Sequence, residues 1–364
     1  MRFTNNQLKD FKIVDICKLK QGNQYDLKQQ FTEEKPDLKR FIRIVDYTQK
    51  TNDIRYVYSN GSENYVDCTD VVVVRYGASA GYVGRGINGI IANNLFTIRP
   101  INSALLNKSY LYHYLNAPVI QKQLNNTQSS GMPALNFQTI NNLHILLPEY
   151  QEQRQIAIFL DKIDERIQTQ IKIINDYNLL KKYITKSFIK QKGTSYLLSE
   201  IAELGRGRVI SSAEISKQKN PIYPVYSSQT SNNGVMGYLD NYDYEGEYIT
   251  WTTDGANAGT VYYRNGKFNC TNVCGILKIK NGYDAYYISN ILNCYTKKYV
   301  STNLANPKLM NNVMANIKIN LPSIERQKYF SNILKAIEYR VKIEQDIKLN
   351  LVKQKVFLLK NMFL

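Results

Sequence analysis

Two stretches of this chain repeat apolar residues every three or four positions, the period of an amphipathic helix. In the first they are Ile156, Leu160, Ile163, Ile167, Ile171, Ile174, Ile184 and Phe188; in the second, Phe330, Leu334, Ile337, Val341, Ile347, Leu351 and Leu358. Pro148 and Pro322 fit the helix starts, where a missing N–H costs nothing, and Gly193 is expected to close the first helix. Each stretch runs for about 40 residues, or ~60 Å of continuous helix. A stripe of that length needs an apolar partner in water, and the obvious partner is its twin.

The segments ahead of each helix read differently. Asp70-Val-Val-Val-Val-Arg75, Tyr248-Ile-Thr-Trp-Thr252 and Val273-Cys-Gly-Ile-Leu-Lys-Ile-Lys280 predict strands, and the Asn-Gly pairs at 60–61, 88–89 and 265–266 predict turns. Tyr110-Leu-Tyr-His-Tyr-Leu115 and Tyr286-Tyr-Ile-Ser-Asn-Ile-Leu292 predict short helices. The chain also repeats itself. Gly22 and Gly207 match at an offset of 185, and Gly77-Ala-Ser-Ala-Gly81 matches Gly255-Ala-Asn-Ala-Gly259 at 178, an offset kept by Asn94 and Asn272. Pro133-Ala-Leu135 matches Pro307-Lys-Leu309 at 174, as do Leu147-Pro148 with Gln153 and Leu321-Pro322 with Gln327. The shrinking offset places a few extra residues in loops of the first copy. The expected fold is α+β with a pseudo-twofold internal repeat: a globule at 1–148, a long helix at 149–192, a second globule at 193–321 and a distal long helix at 322–364. The globules are mixed α/β, and the two helices form an antiparallel coiled coil.

Length and charge narrow the function. A chain of 364 residues suits two domains, and no apolar run is long enough to cross a membrane. Met1-Arg2-Phe3-Thr4-Asn5-Asn6-Gln7 lacks the apolar core of a secretory signal, and five Cys without one point to a reducing cytoplasm. The net charge of +17 is spread over all four segments, which suits a polyanionic partner lying against a folded surface.

This layout resembles the specificity subunit of type I restriction–modification systems, in which two target recognition domains alternate with two long helical regions. The segments that carry the resemblance are Leu147-Pro148-Glu-Tyr-Gln-Glu-Gln153-Arg154, Leu321-Pro322-Ser-Ile-Glu-Arg-Gln327 and the paired Gly-Ala-x-Ala-Gly loops. The family pattern is Leu-Pro followed by Glu-Gln; the first copy keeps Glu152-Gln153, and the second has Arg326-Gln327. The resemblance implies a subunit without catalysis. It would bind a bipartite, asymmetric target in double-stranded DNA and position two methyltransferase subunits, and through them restriction (translocase) subunits. AdoMet would sit on the partner methyltransferase, and this chain would bind no cofactor and no membrane.

Basic side chains near the glycine loops are the expected DNA contacts, because Arg can grip guanine bidentately and Arg or Lys can hold phosphate. In the first globule these are Lys39, Arg40, Arg43, Arg75 and Arg85; in the second, Arg206, Arg208 and Lys308. Polar candidates for base edges are Ser79, Tyr82, Ser227, Gln229, Asn233, Thr253 and Asn257. Arg154, Arg166, Arg326 and Arg340 lie on the helices, where they could dock methyltransferase subunits. Catalytic signatures fail. Asn220-Pro-Ile-Tyr223 lacks the second proline of an amino-methyltransferase motif, and no glycine-rich AdoMet loop accompanies it. Pro36-Asp37 has no properly placed Asp/Glu-x-Lys, and Cys270 and Cys274 read as buried thiols and not as metal ligands. The rival readings are a solitary DNA amino-methyltransferase, a coiled-coil scaffold with two ligand-binding globules, or the specificity subunit of a related system with a fused nuclease–methyltransferase.

A stiff helix pair would act as a ruler, with half-sites roughly a helical turn of DNA, about 34 Å, apart. Inserting four residues near Asn175, about 6 Å of helix, should lengthen the unspecified spacer by one or two base pairs and leave both half-sites unchanged. A folded insertion mutant that supports methylation with the original spacer would show that the helices do not set the distance.

Overall fold

The computed structural model describes residues 8–49, 51–125, 133–301 and 306–363. The segment 1–7, whose composition predicts no export signal, lies outside them. The chain divides into two compact units: Met1–Ile171 with Asp346–Leu364, and Lys172–Gln345. The division does not follow the four expected segments, because each unit takes one globule together with part of both long helices. Those helices span Tyr150–Ile189 and Ile324–Met362. Pro148 and Pro322 stand two residues ahead of them, at the end of a preceding strand.

In the first unit, strand Lys9–Lys12 pairs antiparallel with His144–Leu147, the strand that leads into the long helix. Cys17–Gln21, Leu95–Pro100, Val71–Val74 and Val83–Gly84 form a four-stranded sheet in that order. Arg55–Tyr58, Leu38–Ile42, Gly89–Ile91 and Tyr65–Val66 form another. Val71 and Val73 face the core shared with helix Lys108–Leu115 and the long helices, while Val72 and Val74 face the second sheet's side. A strand buried on both faces reads as the continuous apolar run seen in the sequence.

The second unit repeats this plan. Thr194–Leu197 pairs antiparallel with Lys318–Leu321. Here one six-stranded sheet runs Ala202–Arg206, Cys274–Ile279, Tyr244–Thr252, Val261–Cys270, Tyr223–Tyr226 and Val235–Leu239. The two sheets of the first unit correspond to this one sheet cut in half. Its long strands Tyr244–Thr252 and Val261–Cys270 are each represented there by two short ones, interrupted at 67–70 and 85–88. The extra residues of the first copy include helix Ile44–Thr48, placed where the second copy has only a 3₁₀ turn at Ser231–Gly234.

Three sequence expectations change. Asn265-Gly266 is no turn: it lies inside a strand, where Gly266 pairs with Gly246. Gly193 lies beyond the helix end, and a Cβ there would sit 2.2 Å from the Leu321 carbonyl oxygen. It is glycine because two backbones meet, not because a helix stops. Ile347 is exposed while Leu359 and Phe363 are buried, so the apolar stripe of the second helix shifts by one position towards its end.

The repeated motifs are explained by repeated hydrogen bonds. Gln153 and Gln327 are buried side chains. Gln153 Nε2 donates to the carbonyls of Pro148 and Leu105, both at 3.0 Å, and its Oε1 accepts the Asn107 amide at 3.0 Å. Gln327 Nε2 donates to the Pro322 carbonyl at 2.8 Å, and its Oε1 accepts the Asp284 amide at 3.0 Å. Asn107 and Asp284 are the N-caps of helices Lys108–Leu115 and Ala285–Tyr295. One glutamine thus ties the first turn of each long helix to the start of a globule helix.

Within each unit the long-helix segments run antiparallel. In the first, Leu160 shares a core with Leu359, and Lys355 Nζ meets Asp164 at 2.5 Å. In the second, Phe188 packs on Phe330, and Lys181 pairs with Glu338. The two ion pairs are repeats of one another, since Asp164 and Glu338, like Lys181 and Lys355, stand 174 residues apart.

Replacing Gln153 or Gln327 by Leu would leave a buried carbonyl and a buried amide unpaired. Each substitution should cost about 1–3 kcal/mol, read as a lower denaturant midpoint. An unchanged midpoint in both variants would mean that these side chains do not hold the globules to the helices.

Candidate nucleic-acid interface

In each unit the Gly-Ala-x-Ala-Gly loop joins two neighbouring strands, and a strap that carries the Pro-x-Leu motif closes over it. The bonds match one for one. The Gly77 amide donates to the Pro133 carbonyl at 2.9 Å, and Gly255 to Pro307 at 3.0 Å. Leu135 N–H meets the Arg75 carbonyl at 2.8 Å, and Leu309 N–H meets that of Thr253 at 2.9 Å. The four loop glycines have φ between +81° and +90°, a region other residues rarely enter. Two motifs that are far apart in sequence are therefore parts of one structure.

An arginine stands beside this structure in both units, supplied from different positions of the repeat. In the first, Arg75 lies over the Phe137 ring at 4.3 Å and its Nη1 donates to Gln21 Oε1 at 2.7 Å. In the second, Arg206 Nε donates to Asn311 Oδ1 at 3.1 Å. Gln21 and Arg206 match at the offset of 185, and Phe137 and Asn311 at 174. In both units a guanidinium therefore links the same two elements, once from position 75 and once from position 206. Neither faces a carboxylate in these contacts.

The other basic candidates divide by what they meet. Lys39 is exposed and unpaired among the described residues. Arg40 and Arg43 both reach the buried carboxylate of Asp46, and Arg43 also holds Asp53. Arg208 is bound to Glu214 and Asp243, at 2.6 and 3.1 Å. Lys308 lies 3.6 Å from Asp254. These charges already have acids beside them and are weaker attractors of phosphate.

Arg85 is turned inward. It stacks over Tyr112 at 3.9 Å, pairs with Asp161 on the long helix and donates to Ser109 Oγ at 2.6 Å. His113, fully buried, adds its Nε2 to Asp161 at 2.8 Å. Burial opposes the charged form of Asp161, but the bonds from His113, Arg85 and Ser109 outweigh it and hold that carboxyl well below its usual range. His113, Asp161 and Asp164 could reach one cation, but Arg85 and Lys355 already supply the positive charge there. This network seats the globule on the helix.

Among the polar candidates, Thr253 is buried and bonds to Asp254, so burial of its hydroxyl removes it from any base edge. Ser79 lies in the first glycine loop and exposed Tyr82 directly follows it. Ser227, Gln229 and Asn233 share one loop of the second unit, and Asn257 joins them by donating to Thr230 Oγ1 at 3.2 Å. On the long helices Arg154, Arg166 and Arg326 are exposed, whereas Arg340 pairs with Glu344 at 2.9 Å. Sequence reasoning missed Gln21, Phe137 and Asn311, which carry no charge. The repeat offset of 185 applied to Arg206 leads to Gln21, whereas Phe137 and Asn311 match each other at 174 and are tied to the arginines only by the folded contacts.

A duplicated α+β module, each copy seated on a long helix and carrying a strapped glycine loop with an arginine beside it that pairs with no carboxylate among the described residues, is the layout of a DNA specificity subunit. The chain belongs to the family described as type I restriction modification DNA specificity domain, which matches residues 5–176 and 192–354. A Mycoplasma pneumoniae protein, S.MpnORF365P, described as a type I specificity subunit, is 35% identical over 226 residues, covering 60% of this chain and 82% of its own. The type I restriction enzyme MpnII specificity subunit of the same organism is 42% identical over 146 residues, 40% of this chain and 43% of its own. The fold matches the S subunit of a type I restriction–modification system from M. genitalium with a TM-score of 0.67 at 16% identity, over 100% of this chain and 98% of that one. Among the described residues no helix is long and apolar enough to cross a membrane.

Burial also holds the His113 imidazole below its ordinary pKa. The unfolded chain then gains a proton first as pH falls. Stability from this group is complete above about pH 6.5 and is lost as pH drops from there towards the lower folded value, with a slope of at most about 1.4 kcal/mol per pH unit. Denaturation between pH 5 and 8 should show this loss, and His113→Asn, the residue found at the matching helix position 290, should flatten it. An equal slope in the variant would remove His113 from the acid response.

Proposed function

We propose that the first unit reads one half of a two-part, asymmetric DNA target and the second unit the other half. The observation that carries this is the arginine placed equivalently in both units, at 75 and at 206, amid otherwise different side chains. Equivalent placement gives both modules the same approach to the duplex, and different surroundings give them different base preferences. Lys39, Arg75 and Arg206 lead the contacts; Arg40, Arg43, Arg208 and Lys308 follow, with Ser79, Tyr82, Ser227, Gln229, Asn233 and Asn257 towards the bases.

Catalysis belongs to partners. Asn220-Pro-Ile-Tyr223 runs along the surface into a strand, with the Asn220 amide bound to Asp240 at 2.9 Å. The chain acts in the cytoplasm with two methyltransferase subunits, which hold AdoMet, and through them with restriction subunits. In the first unit a groove between the long-helix segments is lined by Phe159, Ile163, Arg166, Leu351, Phe357 and Leu358. Phe159 and Phe357 are 50% and 67% exposed, a costly surface for a chain without a partner. It suits an apolar helix of a methyltransferase, with Arg166 at its edge.

Exchanging residues 1–148 for the first module of another family member, one that keeps an arginine opposite Asp161, should change one half of the methylated sequence and leave the other half intact. A change in both halves, or in neither, would contradict the modular reading.

A further inference from the structure

Arg264 is a buried cation of the second unit. Its side chain is 4% exposed, in the middle of strand Val261–Cys270 of the second unit. The guanidinium lies 3.5 Å from the ring centre of Tyr226 and 4.4 Å from that of Tyr262. Nε donates to Thr250 Oγ1 at 3.2 Å, and Nη2 donates to the Asn233 carbonyl at 2.9 Å. Among the described residues no carboxylate pairs with it. Burying a charge without an opposite charge is costly even when it is hydrogen-bonded. The matching position in the first unit is Gly86, so the repeat does not require this residue.

What Arg264 holds is the loop 227–234. Asn232 and Asn233 there have φ of 48° and 54°, left-handed values that asparagine tolerates better than other non-glycine residues and that place the loop in a defined, uncommon backbone course. The Arg264 bond to the Asn233 carbonyl holds that course from beneath. Gln229 bonds back to the Val235 carbonyl, and the Ser227 amide meets the Gly234 carbonyl at 2.9 Å. The guanidinium thus ties down, at the Asn233 carbonyl, the backbone of the loop that carries three base-edge candidates, Ser227, Gln229 and Asn233. The first unit manages the same link between strands with the opposite charge, where the Asp46 carboxylate accepts the Arg43 amide at 2.8 Å and meets Arg40.

We propose that Arg264 is a positioning residue that sets the loop 227–234 for base reading in the second half of the target. This rests on the two-part reading above. The guanidinium touches no DNA itself. It fixes a loop backbone that would otherwise sample several conformations, so that the loop side chains meet one set of bases.

The test uses the full chain with its methyltransferase partner, in cells and as the purified complex. Arg264→Gln is expected to lower discrimination at one or more base positions of one half by about tenfold, the worth of one lost base contact, with the other half and the spacer unchanged. In the purified complex the slope of log K against log salt should stay the same, because no phosphate contact is lost. Gln229→Ala, which strands no buried charge, should relax the same half and carries the test if the Arg264 variant fails to assemble. Undiminished discrimination in an assembled Arg264 variant, an equal loss in both halves, or a salt slope smaller by about one would each overturn the proposal. So would a Gln229→Ala variant, tested alone, that discriminates normally. A wild-type complex that methylates no two-part sequence would instead defeat the reading on which it rests.

Discussion

Each unit of this protein depends on a buried glutamine amide that holds three backbone segments at once. Gln153 and Gln327 lie in the first turn of a long helix, donate to the proline carbonyl just behind it and accept from the N-cap of a globule helix. A buried amide with both ends satisfied fixes orientation as well as position, because any rotation leaves a polar group unpaired. The strand that precedes each long helix pairs with the first strand of its globule, so the seat is closed from two sides. Fixed in this way, a globule presents its glycine loop and strap in a defined direction from the helix that carries it.

Much of this was legible in the sequence. The helical stripes, the valine strand and the four matched motifs all express periodicity or repetition, and both survive in a linear string. Gly-Ala-x-Ala-Gly and Pro-x-Leu are more than fifty positions apart in the first copy, and only the folded chain shows that one straps the other. Side-chain commitments were illegible. Arg40, Arg43, Arg85 and Arg208 look like free cations in a basic chain, but each has found an acid through tertiary folding. Gly193 looked like a helix stop, and its real constraint is a backbone that passes 2.2 Å from where its Cβ would be. Asn265-Gly266 has the composition of a turn but is held in a strand by eight residue pairs with its neighbour. Tertiary context decided each of these against local propensity.

The divergence of the two units is as informative as their likeness. Backbone bonds around the loops are kept, while the charges are redistributed: arginine at 75 in one and 206 in the other, Asp46 under one variable link and Arg264 under the other. A scaffold held by main-chain bonds can exchange its side chains without losing its shape. That is the property a protein needs to read two unrelated sequences with one fold.

Two such modules in one chain specify one target with two separate halves. Mapping methylated bases across the genome of cells that carry this chain with its methyltransferase, against cells that lack it, tests that claim most directly. A single new motif with two different specified halves and an unspecified spacer of fixed length is the expected result. A continuous motif, a palindromic one, or no chain-dependent motif at all would contradict it.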